Sequence, residues 1–446
     1  MWVFDTFTLS LLLAGLMVVL WISEWIPVYL TALLPLLLAV PFGLLTPKDL
    51  AQCYGDANIF LFFGGFVMAL ALEKWGVHEQ VARRIIAIVG DKKSNILLGF
   101  ILSTGLISMW ISNTATALLM LPMAVAVVEA MPPAHRQSRF AVFLMLSIAY
   151  AANIGGVGTL IGSPPNTQMA SILAENFQIE ISFLDWMKIG MPLAIVLLLV
   201  MFFIFRAFLG SERKDVFALH FHTLPWSKAQ KRVLWIFSMV AGLWIFREAI
   251  GSLFHIHYRD ENAAILGALA MFLIPNGEEG KQKILRWSDT EKLPWGILLL
   301  FGGGLALAAV LEKNDVLKYL ASSFESFHGL GLVTAIVILT ALAIFVSEVL
   351  SNLAMVTLFI PVVGIFAQQT GLPLIPLAMA LTLGASLAFM MPVGTPPNAI
   401  VFGSGFLRIK DMMRFGFLLN IISLVLISLF VLLFLCSMIW FCTGFR

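Results

Sequence analysis

Four short polar clusters interrupt an otherwise apolar chain, and their residue types suit the binding of small ions. Two of them are Ser-Asn pairs, Ser112-Asn113 and Ser351-Asn352, and two are Pro-Pro pairs, Pro164-Pro165 and Pro396-Pro397. A helix that begins at a Ser-Asn pair presents free N–H groups and a positive dipole end to an anion. A helix that ends there leaves carbonyl oxygens without partners, and these suit a cation. The alternative is that Ser and Asn only cap the helix.

Each Pro-Pro pair predicts a break in a helix. Proline has no N–H, so carbonyls one turn earlier lose their helical partners, and the residue before proline is pushed out of helical geometry. We expect the breaks near Gly162-Ser163 and Gly394-Thr395. Unpaired backbone within a membrane is tolerated where it lines a cavity or binds something. Freed carbonyls, hydroxyls and Asn amides are hard oxygen ligands that suit Na⁺ without a carboxylate. The alternative is a simple kink that neighbouring helices repair.

The clusters occur in the same order in both halves of the chain. Asn113 recurs as Asn352, 239 positions later, and Ser163-Pro164-Pro165-Asn166 recurs as Thr395-Pro396-Pro397-Asn398, 232 positions later. Phe63-Gly64-Gly65 likewise recurs as Phe301-Gly302-Gly303, 238 positions later. Matches in one order at nearly one offset indicate an internal repeat. We therefore expect one repeat over 1–210, a polar connector over 211–230 and a second repeat over 231–446.

The composition indicates a membrane protein. Hydrophobic residues make up 60% of the 446 residues and charged residues 12%, against about 25% charged in soluble domains. The formal net charge of +2 implies no nucleic-acid partner, and the three cysteines have no metal-ligand or disulfide spacing. No paired carboxylates or nucleophile–base motif falls within the apolar segments, which argues against a membrane-embedded enzyme.

We predict an all-α polytopic fold with five spans and one re-entrant hairpin in each half. The spans are expected near 7–22, 26–43, 57–73, 138–173, 184–209, 231–252, 260–275, 293–311, 373–407 and 411–441, and the hairpins near 95–129 and 330–368. The arms of the first hairpin, 96–111 and 115–128, would be about 24 and 21 Å long. Because a bilayer core is ~30 Å thick, we favour re-entry over two complete spans.

An odd number of spans per half places the second repeat upside down relative to the first. With both termini outside, 20 of the 27 Lys and Arg residues lie in inner loops, leaving 7 outside, as the positive-inside rule favours.

Asp5 stands where a cleaved signal peptide has basic residues, so we interpret the first apolar run as a retained span. Segments 75–90 and 313–325 are predicted to lie on the membrane surface, the first as an amphipathic helix.

Three acidic residues within or beside apolar sequence are further candidates, because a charge at bilayer depth is costly. Glu73 and Glu312 end matched spans, where a solvated position at the interface is expected. Glu348 lies four positions before Asn352. It serves either as a structural hydrogen-bonding group inside the hairpin or in a cation-linked function.

With these motifs the chain resembles the divalent anion/sodium symporter family, the dicarboxylate transporters related to INDY. Trp21-Ile22-Ser23-Glu24 is also similar to the family's Trp-Leu-Thr-Glu. The resemblance implies sodium-coupled symport of small di- or tricarboxylates by an elevator-type movement. It also implies a homodimer embedded in the lipid of the cell inner membrane. The alternatives are sodium-independent anion exchange, sulfate transport, and cation/proton antiport with Glu348 titrating.

The resemblance further implies two sodium sites and one anion site. The first sodium would lie near Ser108, Ser112, Asn113 and Gly162, and the second near Ser347, the Leu350 backbone, Asn352 and Gly394. The substrate would meet Asn113, Thr114, Ser163, Asn352, Leu353, Thr395 and Pro396. Two features depart from the family. Leu353 stands where the bacterial dicarboxylate carriers have Thr, which leaves the choice of anion open. Only one span precedes Glu24, where well-studied relatives have two.

Overall fold

The computed structural model describes residues 5–23, 25–90, 92–132, 136, 138–210, 225–278, 282–316, 319 and 329–443. Its regular structure is α-helical, as the apolar composition predicts. The helices of the first half are α1 (Thr6–Ser23), α2 (Val28–Thr31), α3 (Leu34–Leu38), α4 (Pro47–Tyr54), α5 (Ala57–Lys74), α6 (Val77–Val89), α7 (Lys93–Ser108), α8 (Asn113–Glu129), α9 (Arg139–Val157), α10 (Pro164–Phe177) and α11 (Phe183–Leu209). Those of the second half are α12 (Lys228–Ile245), α13 (Arg247–Phe254), α14 (Asp260–Leu273), α15 (Trp295–Lys313), α16 (Leu332–Val346), α17 (Asn352–Thr370), α18 (Leu374–Ala385), α19 (Pro396–Phe402) and α20 (Ile409–Thr443).

Several helices are long and apolar enough to cross a bilayer. Within the described part of the chain six segments qualify by length and hydropathy, and a seventh does so if α12 and α13 count as one bent span. The six are Pro47–Lys74, Arg139–Val157, Phe183–Leu209, Trp295–Lys313, Asn352–Thr370 and Ile409–Leu433. The protein is therefore a multi-pass membrane protein, as its composition predicts.

Two predicted spans are not single straight helices. The segment expected at 26–43 folds as the short helices α2 and α3, in a stretch where Pro35 has no N–H to donate. The segment expected at 231–252 bends by 78° between α12 and α13. At this bend Phe246 adopts φ −100° and ψ 19°, outside the regular helical range.

The polar clusters lie at helix ends, as predicted. The first hairpin consists of α7, a turn at 109–112, and α8; its arms of 16 and 17 residues are about 24 and 26 Å long. In the second hairpin α17 has 19 residues and is long enough to cross the bilayer. The predicted helix within 75–90 is present as α6, whereas most of 313–325 and of the connector 211–230 lies outside the described residues.

Helix α9 lies at the centre of the fold and carries much of the candidate site. Every residue from Phe140 to Val157 is buried except Val142, which is half-buried. The helix packs against α7, α8, α11 and α19. Its glycines permit this close packing, since small residues let helix backbones approach one another. At Gly155 a Cβ would collide with the Gly105 backbone of α7.

Candidate functional site

Two neighbouring residues at the first hairpin tip make different contacts. Ser112 is the N-cap of α8, and its hydroxyl accepts a hydrogen bond from Ala115 N at 3.3 Å. Asn113 does not cap the helix. Its side chain extends instead toward Ser108, at the end of α7, and toward the buried helix α9. The capping alternative therefore describes Ser112 and not Asn113.

Four oxygen atoms converge beside the Asn113 side chain. Ser108 Oγ lies 2.8 Å from Asn113 Oδ1 and 2.7 Å from Ala152 O. Asn113 Oδ1 itself lies 3.1 Å from Ala152 O and 3.2 Å from Gly162 O. The surrounding acceptors favour the amide orientation that places the nitrogen at this point, where it donates to both carbonyls. In that orientation the amide N–H groups satisfy these oxygens.

Gly156 makes room for this oxygen cluster. A Cβ at this position would collide with Asn113 Oδ1. Because α9 passes directly beside the hairpin tip, even a methyl group would displace the amide. The requirement for glycine here is therefore steric.

The first helix break repairs part of its own backbone. It extends from Gly158 to Ser163, between α9 and α10. Thr167 Oγ1 donates to Leu160 O at 2.6 Å, and Asn166 Nδ2 donates to Gly156 O at 2.9 Å and Thr159 O at 2.8 Å. The Asn amide of this motif thus binds backbone carbonyls through its nitrogen, while its Oδ1 is buried without a partner among the described residues.

The second helix break repeats these bonds. Asn398 Nδ2 donates to Ala388 O at 3.2 Å and to Met391 O at 3.0 Å. Each of these residues lies 232 positions after its counterpart in the first break, which is the offset of the Pro-Pro pairs in the sequence. The break itself is wider than predicted, because α18 ends at Ala385 and α19 begins only at Pro396.

The second hairpin tip contains polar atoms that have no partner. Ser347 Oγ and Asn352 Oδ1 are buried, and neither finds a donor or acceptor among the described residues. Gly394 lies against this tip, since a Cβ there would stand 3.2 Å from Glu348 Oε2 and 3.3 Å from the Glu348 backbone. Leu350 and Leu353 are buried beside the tip.

Glu348 ties the second tip to the second break. Its Oε1 accepts from Phe389 N and Met390 N, both at 2.9 Å, and from Asn420 Nδ2 at 2.7 Å. Its Oε2 accepts from Met391 N at 2.8 Å and Met390 N at 3.1 Å. Of the two roles considered for this carboxylate, the structure shows the hydrogen-bonding one. The sequence analysis did not identify Asn420, a buried residue that lies 72 positions after Glu348 in the chain.

A buried asparagine of the first half bonds to the second helix break. Asn153 Nδ2, on α9, donates to Thr395 Oγ1 at 3.0 Å and lies 3.4 Å from Asn398 Oδ1. In addition, α8 of the first hairpin packs on α19 of the second break, and α17 of the second hairpin packs on α10 of the first break. These crossed pairs gather the helix starts at all four motifs into one region. Sequence reasoning missed Asn153, although an Asn within an apolar run was a usable signal.

The remaining predicted residues line this region to different degrees. Ser163 and Thr395 are buried, Thr114 is half-buried and Pro396 is exposed. Ser163 caps its helix without a side-chain hydrogen bond. Glu73 and Glu312 are exposed at the ends of α5 and α15, where a solvated position was predicted.

Comparison with known proteins identifies the family. The citrate transporter family (CitMHS) matches residues 18–384. The sodium-dependent dicarboxylate transporter SdcS of Staphylococcus saprophyticus is 37% identical over 429 residues, which cover 92% of this chain and 83% of that protein. The SdcS protein of Staphylococcus aureus strain USA300 is 37% identical over 431 residues, which cover 92% of this chain and 82% of its own length.

Two solved structures share the fold. The Alcanivorax borkumensis YdaH transporter, described as having an unusual topology, superposes with a TM-score of 0.55 at 12% identity and covers 99% of both chains. Neisseria gonorrhoeae MtrF, described among antimetabolite efflux pumps, gives a TM-score of 0.58 at 10% identity and covers 96% of this chain and 94% of its own. At such low identity the likeness concerns the fold alone. The family match and the 37% identity over most of the chain show that this protein is a membrane transporter, not an enzyme, of the divalent anion/sodium symporter family.

Proposed function

We propose that the protein is a secondary active transporter that couples the movement of Na⁺ to that of a small di- or tricarboxylate. Relatives at 37% identity are named sodium-dependent dicarboxylate transporters, and the family is described as citrate transporters. The observation that carries the proposal is the group of buried hydroxyl, amide and carbonyl groups that the first hairpin tip brings together. The Asn113 amide lies 2.8 Å from Ser108 Oγ, 3.1 Å from Ala152 O and 3.2 Å from Gly162 O, and Ser108 Oγ donates to Ala152 O at 2.7 Å.

The second tip supports a second sodium site. Ser347 Oγ and Asn352 Oδ1 are buried without partners among the described residues, and a buried unpaired polar atom costs about 1–3 kcal/mol. A bound cation would remove this cost at both atoms. The residues proposed to hold it are Ser347, the Leu350 backbone, Asn352 and Gly394. Three of them, Ser347, Asn352 and Gly394, correspond to Ser108, Asn113 and Gly162 at the first tip.

The anion is proposed to bind between the two tips. Helices α8, α10, α17 and α19 all begin in this region, and each has a positive dipole end there. N–H groups for an anion come from the starts of α8 and α17, because α10 and α19 begin with Pro-Pro pairs that have no N–H. Asn113, Thr114 and Ser163 would meet one carboxylate, and Asn352, Thr395 and Pro396 the other. Leu353 contributes an apolar surface and no donor at the second end. We therefore propose that the two carboxylates of the substrate are held by different numbers of hydrogen bonds.

Coupling then follows from charge. A dicarboxylate in a site of low dielectric is poorly solvated, and no Lys or Arg stands among the proposed anion-binding residues. Na⁺ beside the anion would offset its charge, so each ligand binds better when the other is present. The proposed fold has two inverted repeats, a dimeric scaffold and a mobile domain that carries both tips in an elevator-type movement, with both termini outside the inner membrane.

Uptake by proteoliposomes tests the proposal. We expect radiolabelled succinate or citrate to accumulate under an inward Na⁺ gradient and not when choline replaces Na⁺. Equal uptake in choline would instead support the exchange alternative, and uptake driven by a pH gradient alone would support cation/proton antiport. Uptake of sulfate in preference to every carboxylate tested would reject the proposed substrate class.

Substitutions at the tips test the placement of the site. Asn113→Ala and Asn352→Ala should each abolish uptake without changing expression or the elution volume in gel filtration. Asn176→Ala is a matched control, since this residue lies on α10 outside the site and binds Glu312 at 3.2 Å. Full uptake by both tip variants would reject the placement while leaving the transport activity itself intact.

A further inference from the structure

A large cavity lies at the end of the protein away from the helix starts at the four motifs. Its volume is about 1000 Å³, and four arginines line it: Arg136, Arg139, Arg408 and Arg414. Among the described residues that line it, Asp411 has the single carboxylate. The elements that meet here are the start of α9, the end of α11 and the start of α20. All four arginines are among the basic residues that the sequence places on the inner side of the membrane.

No carboxylate in the described part of the chain neutralises these guanidinium groups. Among the described residues none of the four forms an ion pair with a carboxylate. Arg136 donates to the backbone carbonyls of Glu129 and Met131, and Arg139 donates to Phe208 O at 3.3 Å. The Asp411 carboxylate accepts a bond from Arg408 N at 3.3 Å, within the first turn of its own helix.

The cavity also has an aromatic wall. Phe143, Phe208 and Phe415 line it, and the Arg414 guanidinium lies 5.9 Å from the Phe208 ring centre and 5.6 Å from that of Phe415. Stacking on a ring holds a guanidinium plane in place while its edge remains free to donate. The site therefore combines fixed positive charge with an adjacent apolar surface.

We propose that this cavity binds the phosphate group of an anionic phosphate ester. The Arg fork matches phosphate oxygens in a bidentate way, and two long helices, α9 and α20, begin at the cavity with their positive dipole ends. A volume of about 1000 Å³ is at the upper end of the range for drug-sized ligands, and a four-carbon diacid would fill little of it. The aromatic wall suits the glycerol and first acyl carbons of an anionic phospholipid. A soluble phosphate ester carries the same phosphate group.

Calorimetric titration of the detergent-purified full chain tests this proposal. The probes are dioctanoyl phosphatidylglycerol, dioctanoyl phosphatidylcholine and ATP. We expect phosphatidylglycerol to bind more tightly than the zwitterionic lipid, and Arg408→Gln combined with Arg414→Gln to raise its Kd at least tenfold, or about 1.4 kcal/mol. Arg206→Gln is the matched control, because this exposed arginine stacks on Phe202 and lies outside the cavity.

The outcomes separate the sources of the phosphate. Arginine-dependent binding of ATP without binding of either lipid would assign the site to a soluble ester and leave the phosphate chemistry standing. Binding of neither ATP nor phosphatidylglycerol, or binding that the double variant leaves unchanged, would overturn the proposal. Arg408→Gln alone guards against misfolding, since the exposed Arg408 guanidinium makes no hydrogen bond in the described part of the chain.

Discussion

Replacement of Glu348 by glutamine is the most informative single perturbation. Both carboxylate oxygens accept, and all four surrounding groups donate: three backbone N–H groups from 389–391 and the Asn420 amide. Glutamine keeps one accepting oxygen and turns the other into a donor. The least costly placement puts the new nitrogen at Oε2, because Phe389, Met390 and Asn420 can then still use Oε1. Met391 N, now at 2.8 Å from Oε2, would face a donor instead.

The expected cost follows from that one orphaned donor. A buried donor without an acceptor costs about 1–3 kcal/mol, and this range corresponds to roughly a 5- to 150-fold change in an equilibrium. We expect Glu348→Gln to lower the succinate uptake rate within this range and to lower the melting temperature of the purified protein. Intrinsic fluorescence during heating and initial uptake rates in proteoliposomes measure the two quantities.

A matched control separates the loss of the Glu348 hydrogen bonds from the loss of a negative charge. Glu73→Gln removes an exposed carboxylate at the end of α5 and should change neither uptake nor melting temperature. Wild-type uptake and stability in Glu348→Gln would refute the anchoring role. An unchanged melting temperature with a raised sodium requirement would assign Glu348 to the cation-linked role.

Three further substitutions test other parts of the account. Gly156→Ala should abolish sodium-dependent uptake, because the added methyl group collides with Asn113 Oδ1; uptake assays at several sodium concentrations measure this. Asn153→Leu should lower the melting temperature and reduce uptake roughly tenfold, since loss of one such bond costs about 1.4 kcal/mol and leaves Thr395 without its 3.0 Å donor. Partial burial and the adjacent Asp56 raise the pKa of Glu175 from 4.5 to about 7. A raised carboxyl pKa weakens the folded state as the pH rises from 4.5 through 7, so Glu175→Gln should raise the melting temperature at pH 8 and change it less at pH 5.

Each of these has a contrasting variant or condition. Gly242→Ala adds a methyl group where nothing lies within 4 Å and should be neutral. Asn153→Asp keeps an oxygen but loses the donor, and normal uptake in this variant would contradict the proposed bond to Thr395. Equal shifts at both pH values for Glu175→Gln would show that the gain does not come from titration. Glu129→Gln, an exposed carboxylate on α8, controls for the general effect of removing a negative charge.

Much of this architecture is predictable because its signals are local. Ser112 caps a helix and the Pro-Pro pairs break one through chemistry that acts within one turn of the chain. The prediction of a repeat likewise rests on motifs that recur at a nearly constant offset. Hydropathy locates the long helices for the same reason, since it depends only on neighbouring residues.

The contacts that assemble the site could not be predicted in this way. Asn153 meets Thr395 across 242 positions, and Glu348 meets Asn420 across 72. No local pattern marks these pairs. Ala152 contributes only a backbone carbonyl, which any residue could supply, so its identity carries no signal. The motif amides also have a role that the sequence analysis did not predict, because Asn166 and Asn398 bind the backbone carbonyls of their own helix breaks through their amide nitrogens.

The sodium dependence of uptake in Ser108→Ala and Ser347→Ala tests the central claim most directly. If each hairpin tip holds one sodium ion, removal of either hydroxyl should raise the sodium concentration for half-maximal uptake roughly tenfold, for a loss of about 1.4 kcal/mol at one site. Both variants should also show a weaker cooperative dependence on sodium than the wild type. A sodium dependence identical to that of the wild type in both variants would contradict the claim that these tips bind the coupling ions.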